Sequence, residues 1–150
     1  MWSACPVPDP MLHLTAFDAE DLAALSAQMQ DAVLKFSDMS WNPARKTFAL
    51  VANRFAWDAL PDRQRRRTGL RFNYVAAVRR QHPAAPSRDM VLSLLAMTFE
   101  PRSKKDALSG TVTLSFSGGH AIALDVEVID VQLDDLGSAW SAASEPSHGA

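Results

Sequence analysis

Arg63, Arg65, Arg66 and Arg67, interrupted only by Gln64 and followed by Arg71, are the densest concentration of one chemical group in this chain. A guanidinium is permanently charged and planar, and it offers paired N–H donors to a carboxylate or a phosphate. Several of them near one loop point to oxyanion binding, and their charge attracts the nucleic-acid backbone. Trp57, in Asn53-Arg54-Phe55-Ala56-Trp57-Asp58, stands beside the same loop and is the aromatic best placed for a pocket or an interface. The candidate anion- or partner-binding residues are therefore Arg63, Arg65, Arg66, Arg67, Arg71 and Trp57. A competing account makes the run a solvated loop face, or the set of partners for Asp125, Glu127, Asp130, Asp134 and Asp135 across strands or subunits. The net charge of −2 favours this second account, because specific nucleic-acid domains are more often basic overall. No RNA-recognition aromatic signature, Gly-rich phosphate loop or helix-turn-helix spacing accompanies the arginines.

Other chemistry has less behind it. His13, His82, His120 and His148 are too far apart in sequence for any two to share a helical face, so no metal site is expected. His120 follows Gly118-Gly119 near Asp125 and Glu127, which would project from one face of a strand as paired catalytic carboxylates do. Cross-strand salt bridges with Arg71 or Arg79 account for those two acids more simply. Ser117-Gly118-Gly119-His120 lacks the nucleophile-elbow pattern. No catalytic residue, metal ligand or cofactor is assigned; a non-enzymatic reading leads, and a small enzyme using His120 with Asp125 or Glu127 stays open behind it.

Charge along the chain is strongly polarised. All fifteen Lys and Arg residues lie between Lys35 and Lys105, where five acids leave a net +10; residues 1–34 carry −5 and residues 106–150 carry −7. Such asymmetry means either a cationic binding face or acidic and basic strands that meet inside one sheet.

The elements that would position these groups follow from periodicity. Leu12, Leu14 and Ala16 alternate with His13 and Thr15 as in a short strand. Asp18, with Glu20 and Asp21 behind it, predicts a helix N-terminus, and Leu22, Leu25, Met29 and Ala32 form its apolar stripe. Residues 33–54 read as a β-hairpin turning through Asn42-Pro43-Ala44-Arg45-Lys46. Residues 55–67 break the pattern, so the arginines are expected in a loop. Leu70, Phe72, Tyr74, Ala76 and Val78 then predict one half-buried strand. Residues 90–99 are assigned to a buried strand on their β-branched and aromatic ends. Val112, Leu114 and Phe116 lead into a hairpin at Gly118-Gly119, where glycine supplies positive φ. Apolar phase flips between Val128 and Ile129, which predicts a β-bulge or a strand crossing between layers.

At 150 residues and 47% hydrophobic content, one domain can bury a full core without metal or disulfide. Cys5 alone cannot build a disulfide framework, which suits a reducing cytoplasm. Residues 1–10 carry neither the basic nor the apolar region of a secretory signal and read as a disordered leader; residues 11–140 read as the domain and 141–150 as a flexible tail.

Leu14-Thr15-Ala16-Phe17-Asp18-Ala19-Glu20-Asp21-Leu22, Gln30-Asp31-Ala32-Val33, Asn53-Arg54-Phe55-Ala56-Trp57, Val91-Leu92-Ser93-Leu94-Leu95-Ala96 and Gln132-Leu133-Asp134-Asp135-Leu136-Gly137 together resemble an alphaproteobacterial family catalogued as a domain of unknown function, family 2948. The resemblance spans roughly residues 11–142 and implies a bacterial cytoplasmic protein. It carries over no activity, ligand or catalytic residue.

The expected architecture is α+β: one amphipathic helix after a first strand, packed on a largely antiparallel sheet of six to seven strands, curled toward a barrel. A β-sandwich and a pleckstrin-homology-like barrel are the alternatives. The expected role is a binding or assembly module that associates with itself or another protein. Anion or nucleic-acid binding through residues 63–71 is the alternative, and no membrane partner is expected.

Overall fold

The computed structural model describes residues 12–55, 64–81, 87–136 and 140–141, with residues 55, 64, 65, 140 and 141 described by backbone alone. Strand β1, His13–Ala16, ends where Asp18 caps helix α1, Ala19–Gln28. The Asp18 carboxylate accepts the Asp21 amide at 2.7 Å, and the Asp21 carboxylate accepts the Phe17 amide at 3.3 Å. These bonds satisfy amides that the first helical turn leaves open. Leu22, Leu25 and Met29 are buried as the stripe requires, but Ala32 already belongs to β2, Ala32–Lys35. Asp31, at φ 67°, makes the turn between them.

A 3-10 turn, Phe36–Asp38, separates β2 from β3, Met39–Asn42. β3 forms the expected hairpin with β4, Thr47–Phe55, in a register running from Met39 opposite Leu50 to Asn42 opposite Thr47. Asn42 closes the turn by accepting the Arg45 amide at 3.2 Å. Being longer than β3, β4 continues past it to meet β2 at Val33 and Asn53.

The next two strands differ from expectation. Arg65, Arg66, Arg67 and Arg71 do not sit in a loop: β5 spans Gln64–Phe72 and pairs with β4 from Phe55 opposite Arg65 to Phe48 opposite Phe72. The predicted strand 70–78 is also broken. Tyr74 adopts φ 58° and is exposed, Val75 is fully buried, and a new strand, β6, runs Val75–Arg80. One left-handed residue reverses the inside–outside phase, and alternation alone does not register it.

β7, Val91–Pro101, is the expected buried strand, bulged between Leu94 and Ala96 against β8, Gly110–Phe116. Gly118 and Gly119, at φ 76° and 79°, turn β8 into β9, Ala121–Val126. The phase flip that follows is a change of strand. β9 lies between β8 and β6, whereas β10, Val131–Asp135, lies between β1 and β5, so residues 127–130 carry the chain from one end of the sheet to the other. β11, Trp140–Ser141, adds to β5.

The strands of the described residues belong to one antiparallel sheet in the order β1-β10-β5-β4-β2-β7-β8-β9-β6, with β3 joined to β4 and β11 to β5. Among the described residues the sheet thus has eleven strands rather than six to seven and stays open at β1 and β6 rather than closing into a barrel. The excess arises because single-residue reversals and a 3-10 turn split runs that read as continuous. Helix α1 packs on β7 and β1, and Leu70, Phe72, Leu114, Leu124 and Leu133 anchor a core on the sheet's inner face. No helix among the described residues is long and apolar enough to cross a membrane.

Candidate functional site

Strand alternation divides the arginine run between the two faces of β5. Arg66 and Thr68 share the inner face with Leu70 and Phe72 and are buried, while Arg67 and Arg71 are exposed on the outer face with Gly69 between them. The inner half joins a buried ionic cluster. Arg54 lies opposite Arg66 on β4, and Asp135 lies opposite Thr68 on β10. Arg54 grips Asp135 with two bonds, Nε to Oδ1 at 2.9 Å and Nη2 to Oδ2 at 2.7 Å. The Thr68 hydroxyl donates to Oδ1 at 2.7 Å, the Leu12 amide donates to Oδ2 at 2.8 Å, and Arg66 Nε stands 3.8 Å from Oδ2.

Removing these charges from water is costly, and such a carboxylate persists only when its lone pairs are filled and a counter-charge is close. Both conditions hold. Desolvation pushes the Asp135 pKa up, but bonds from Arg54, the Leu12 amide and Thr68 outweigh it, so the carboxyl titrates below its ordinary range. The Asp135 amide also donates to the Leu12 carbonyl at 3.0 Å, so one residue ties β1, β4, β5 and β10 together.

Further pairs join the basic middle of the chain to its acidic end. Lys46 reaches Glu127 at 2.7 Å, and Arg79 holds Asp125 with bonds of 2.6 and 3.1 Å. The Thr111 hydroxyl adds a bond to Asp125 at 3.2 Å. The bond from Arg79, assisted by Thr111, holds the Asp125 pKa below the ordinary range against a smaller desolvation. Arg71 donates to Gln132, the residue opposite it on β10. His13 meets Asp134 at 2.8 Å. Much of the charge polarisation therefore resolves inside the sheet. Cross-strand pairing of Asp125 with Arg79 follows the simpler sequence reading, and Glu127 takes Lys46 as partner. His120 sits at the β8–β9 turn, and both acids proposed to work with it are engaged elsewhere. No group of three metal-ligating side chains occurs among the described residues.

What faces solvent on β5 is a different kind of surface. Leu136, 53% exposed, lies across Gly69: a Cβ on Gly69 would meet its Cδ1 at 3.4 Å, and its amide donates to the Arg67 carbonyl at 2.7 Å. An exposed leucine is thus seated on β5 between Arg67 and Arg71, with Val51 opposite Gly69 on the next strand. Of the sequence candidates, Arg67 and Arg71 form this outer patch and Arg66 turns away from it. Arg65 is placed by backbone alone, opposite Trp140, and Arg63 and Trp57 lie outside the described residues.

Sequence reasoning overlooked Arg54 and Thr68, named Asp135 only among five acids that the arginine run could pair with, and overlooked Leu136. A signal for the first three exists, because each continues the inward phase of its strand: Arg54 after Phe48, Leu50 and Ala52; Thr68 before Leu70 and Phe72; Asp135 after Val131 and Leu133. A polar residue in apolar phase at a strand end marks where a core closes on charge.

Fold and surface together define an α+β protein with one helix on an open antiparallel sheet, internally cross-linked by ion pairs. A model of the family described as "Protein of unknown function (DUF2948)" matches residues 12–148, and the chain belongs to that family. No curated protein and no solved structure matches it.

Proposed function

We propose that this protein is a non-enzymatic assembly module, acting in the bacterial cytoplasm, that associates with further copies of itself through the outer face of β5. The observation that carries the reading is the exposed Leu136 seated over Gly69 between Arg67 and Arg71. An apolar anchor flanked by arginines has the make-up of an interface centre. Its complement occurs on the same molecule. Phe17, 62% exposed, stands at the start of α1 beside Asp18, Glu20 and Asp21. Joining an acidic, phenylalanine-centred patch to a basic, leucine-centred one is heterologous contact, which builds rings or filaments.

Light scattering coupled to size exclusion tests it. Wild type is expected to form a defined oligomer, Arg67→Glu to dissociate it, and Arg67→Glu mixed with Glu20→Lys to restore it. A monomer at all concentrations sinks the reading. Anion or nucleic-acid binding by Arg63, Arg65, Arg67 and Arg71 is the second reading, favoured by the strand alternation that puts Arg67 and Arg71, four residues apart, on one exposed face. It requires a nucleic-acid affinity that falls steeply with salt and is lost in Arg67→Ala with Arg71→Ala.

A further inference from the structure

Apolar surface on the outer face of the sheet does not stop at Leu136. Val91 and Leu95 on β7 are 59% and 45% exposed, and strand register connects them to the β5 face. Leu136 lies over Gly69, Gly69 is opposite Val51 on β4, and Val51 is diagonal to Val33 on β2, which stands opposite Asn53. Val33 in turn lies opposite Ser93 on β7, with Val91 and Leu95 two residues to either side of Ser93. Each of these side chains points outward because its strand neighbours are buried: Leu50 and Ala52, Ala32 and Leu34, Leu92 and Leu94. Diagonal neighbours on one face stand about 7–8 Å apart, and together they form an apolar band from β5 to β7. Its rim is basic, with Arg67 and Arg71 at the Leu136 end and Lys35 opposite Val91 at the other. Of the acids nearby, Asp134 is held by His13, and Asp31, whose amide donates to the Leu94 carbonyl, borders Leu95.

An apolar sheet face is the surface on which a helix packs. α1, the one α-helix among the described residues, turns Leu22, Leu25 and Met29 to the core, and its opposite side carries Glu20, Ala23, Ala24 and Ala27, all exposed. Alanines let a helix approach a sheet closely, and Asp18, Glu20 and Asp21 at its start are the charge complement of Arg67 and Arg71. Lengths also agree. Ten residues of helix rise about 15 Å, and the three strand spacings from β5 through β4 and β2 to β7 cover about 14 Å. Within one chain this helix cannot reach the band, because α1 packs on the inner side of β7 and the band occupies its outer side.

We infer that the outer face from Leu136 to Leu95 is the docking surface for helix α1 of a second copy of this chain, with Phe17 at Leu136 and Ala27 toward Leu95. This docking rests on the self-association proposed for the β5 face and extends it from one pair of anchors to a whole helix. Lys35 then stands beside the C-terminal end of the docked helix, where the helix dipole favours a cation. Because a helix meets a sheet face, the contact is heterologous: each copy offers one of each surface.

The test is light scattering coupled to size exclusion on the full chain and on two variants, Leu95→Glu in the band and Ala24→Glu in the helix. Both positions are exposed in a single copy, so circular dichroism should show both variants folded as wild type is. Wild type is expected to associate, and each variant to associate at least about tenfold more weakly, since each sets an unpaired charge against the apolar contact. The two variants mixed should form a one-to-one heterodimer: the intact helix of the Leu95→Glu variant meets the intact band of the Ala24→Glu variant, while the reverse contact carries both charges. An oligomer that dissociates with Arg67→Glu but survives Leu95→Glu or Ala24→Glu would overturn this docking and leave the β5 reading standing. A mixture that stays monomeric overturns the pairing of helix with band. Wild type that is monomeric at all concentrations, or an oligomer indifferent to all three substitutions, removes both.

Discussion

Arg54–Asp135 and Arg79–Asp125 are the same chemical object in two settings. Each is an arginine on one strand holding an aspartate with its Nε and one Nη, at 2.9 and 2.7 Å in the first pair and 3.1 and 2.6 Å in the second. Each also joins the basic middle of the chain to its acidic end, and each aspartate accepts a threonine hydroxyl. What differs is water. The side chains of Arg54 and Asp135 are 0% exposed, whereas those of Arg79 and Asp125 are 53% and 35% exposed. Geometry therefore does not rank these pairs; solvent does. In the core, losing one partner strands a charge with no water to replace it, while at the surface water takes the vacated place.

The largest expected effect tests that contrast directly. Asp135→Asn should lower unfolding free energy by about 3–5 kcal/mol, and Asp125→Asn by about 1 kcal/mol or less, both measured by urea unfolding. Equal losses would show that burial does not separate the pairs. Acid titration sharpens the same point. Because the folded-state pKa of Asp135 is lowered, its contribution is fully present above the ordinary aspartate range and is lost as pH falls through the folded value. Thermal melts from pH 7 downward should therefore fall less steeply in Asp135→Asn than in wild type. An unchanged acid limb would remove Asp135 as its source.

Asp18 falls between the extremes, being exposed yet accepting the Asp21 amide at the start of α1. Asp18→Ala should cost about 1 kcal/mol, since the open amide regains only part of its bonding from water. The smallest effect belongs to Lys46–Glu127, whose side chains are about half exposed. Lys46→Ala should change stability by roughly 0–1 kcal/mol, and the difference should vanish in 1 M salt, where screening acts within about 3 Å. A loss that persists in high salt would mean the Lys46 stem works through packing.

Much of the fold was legible. The Asp18 cap and the Leu22, Leu25 and Met29 stripe located α1, alternation located β4, β7, β8 and β9, and Gly118-Gly119 located a turn whose φ values only glycine adopts readily. Each of these signals is local, fixed by contacts within a few residues. The candidate site was legible only in half. Clustering singled out the arginines but assigned them to a loop, because Thr68 and Arg66 break the apolar pattern of a half-buried strand. They break it because the polar group that makes their burial tolerable lies in β10, more than sixty residues away.

Composition and order alone determined that this chain has one cysteine, a helix after its first strand and a segregated charge pattern able to pair with itself. Only tertiary structure decided which arginine meets which acid, which face Arg66 and Arg67 take, and that Leu136 comes to rest over Gly69. The physical reason is that alternation assigns a side chain to a face but gives neither the register of the neighbouring strand nor its depth from water. Register and depth together decide whether a given charge acts as a structural tie or a surface group.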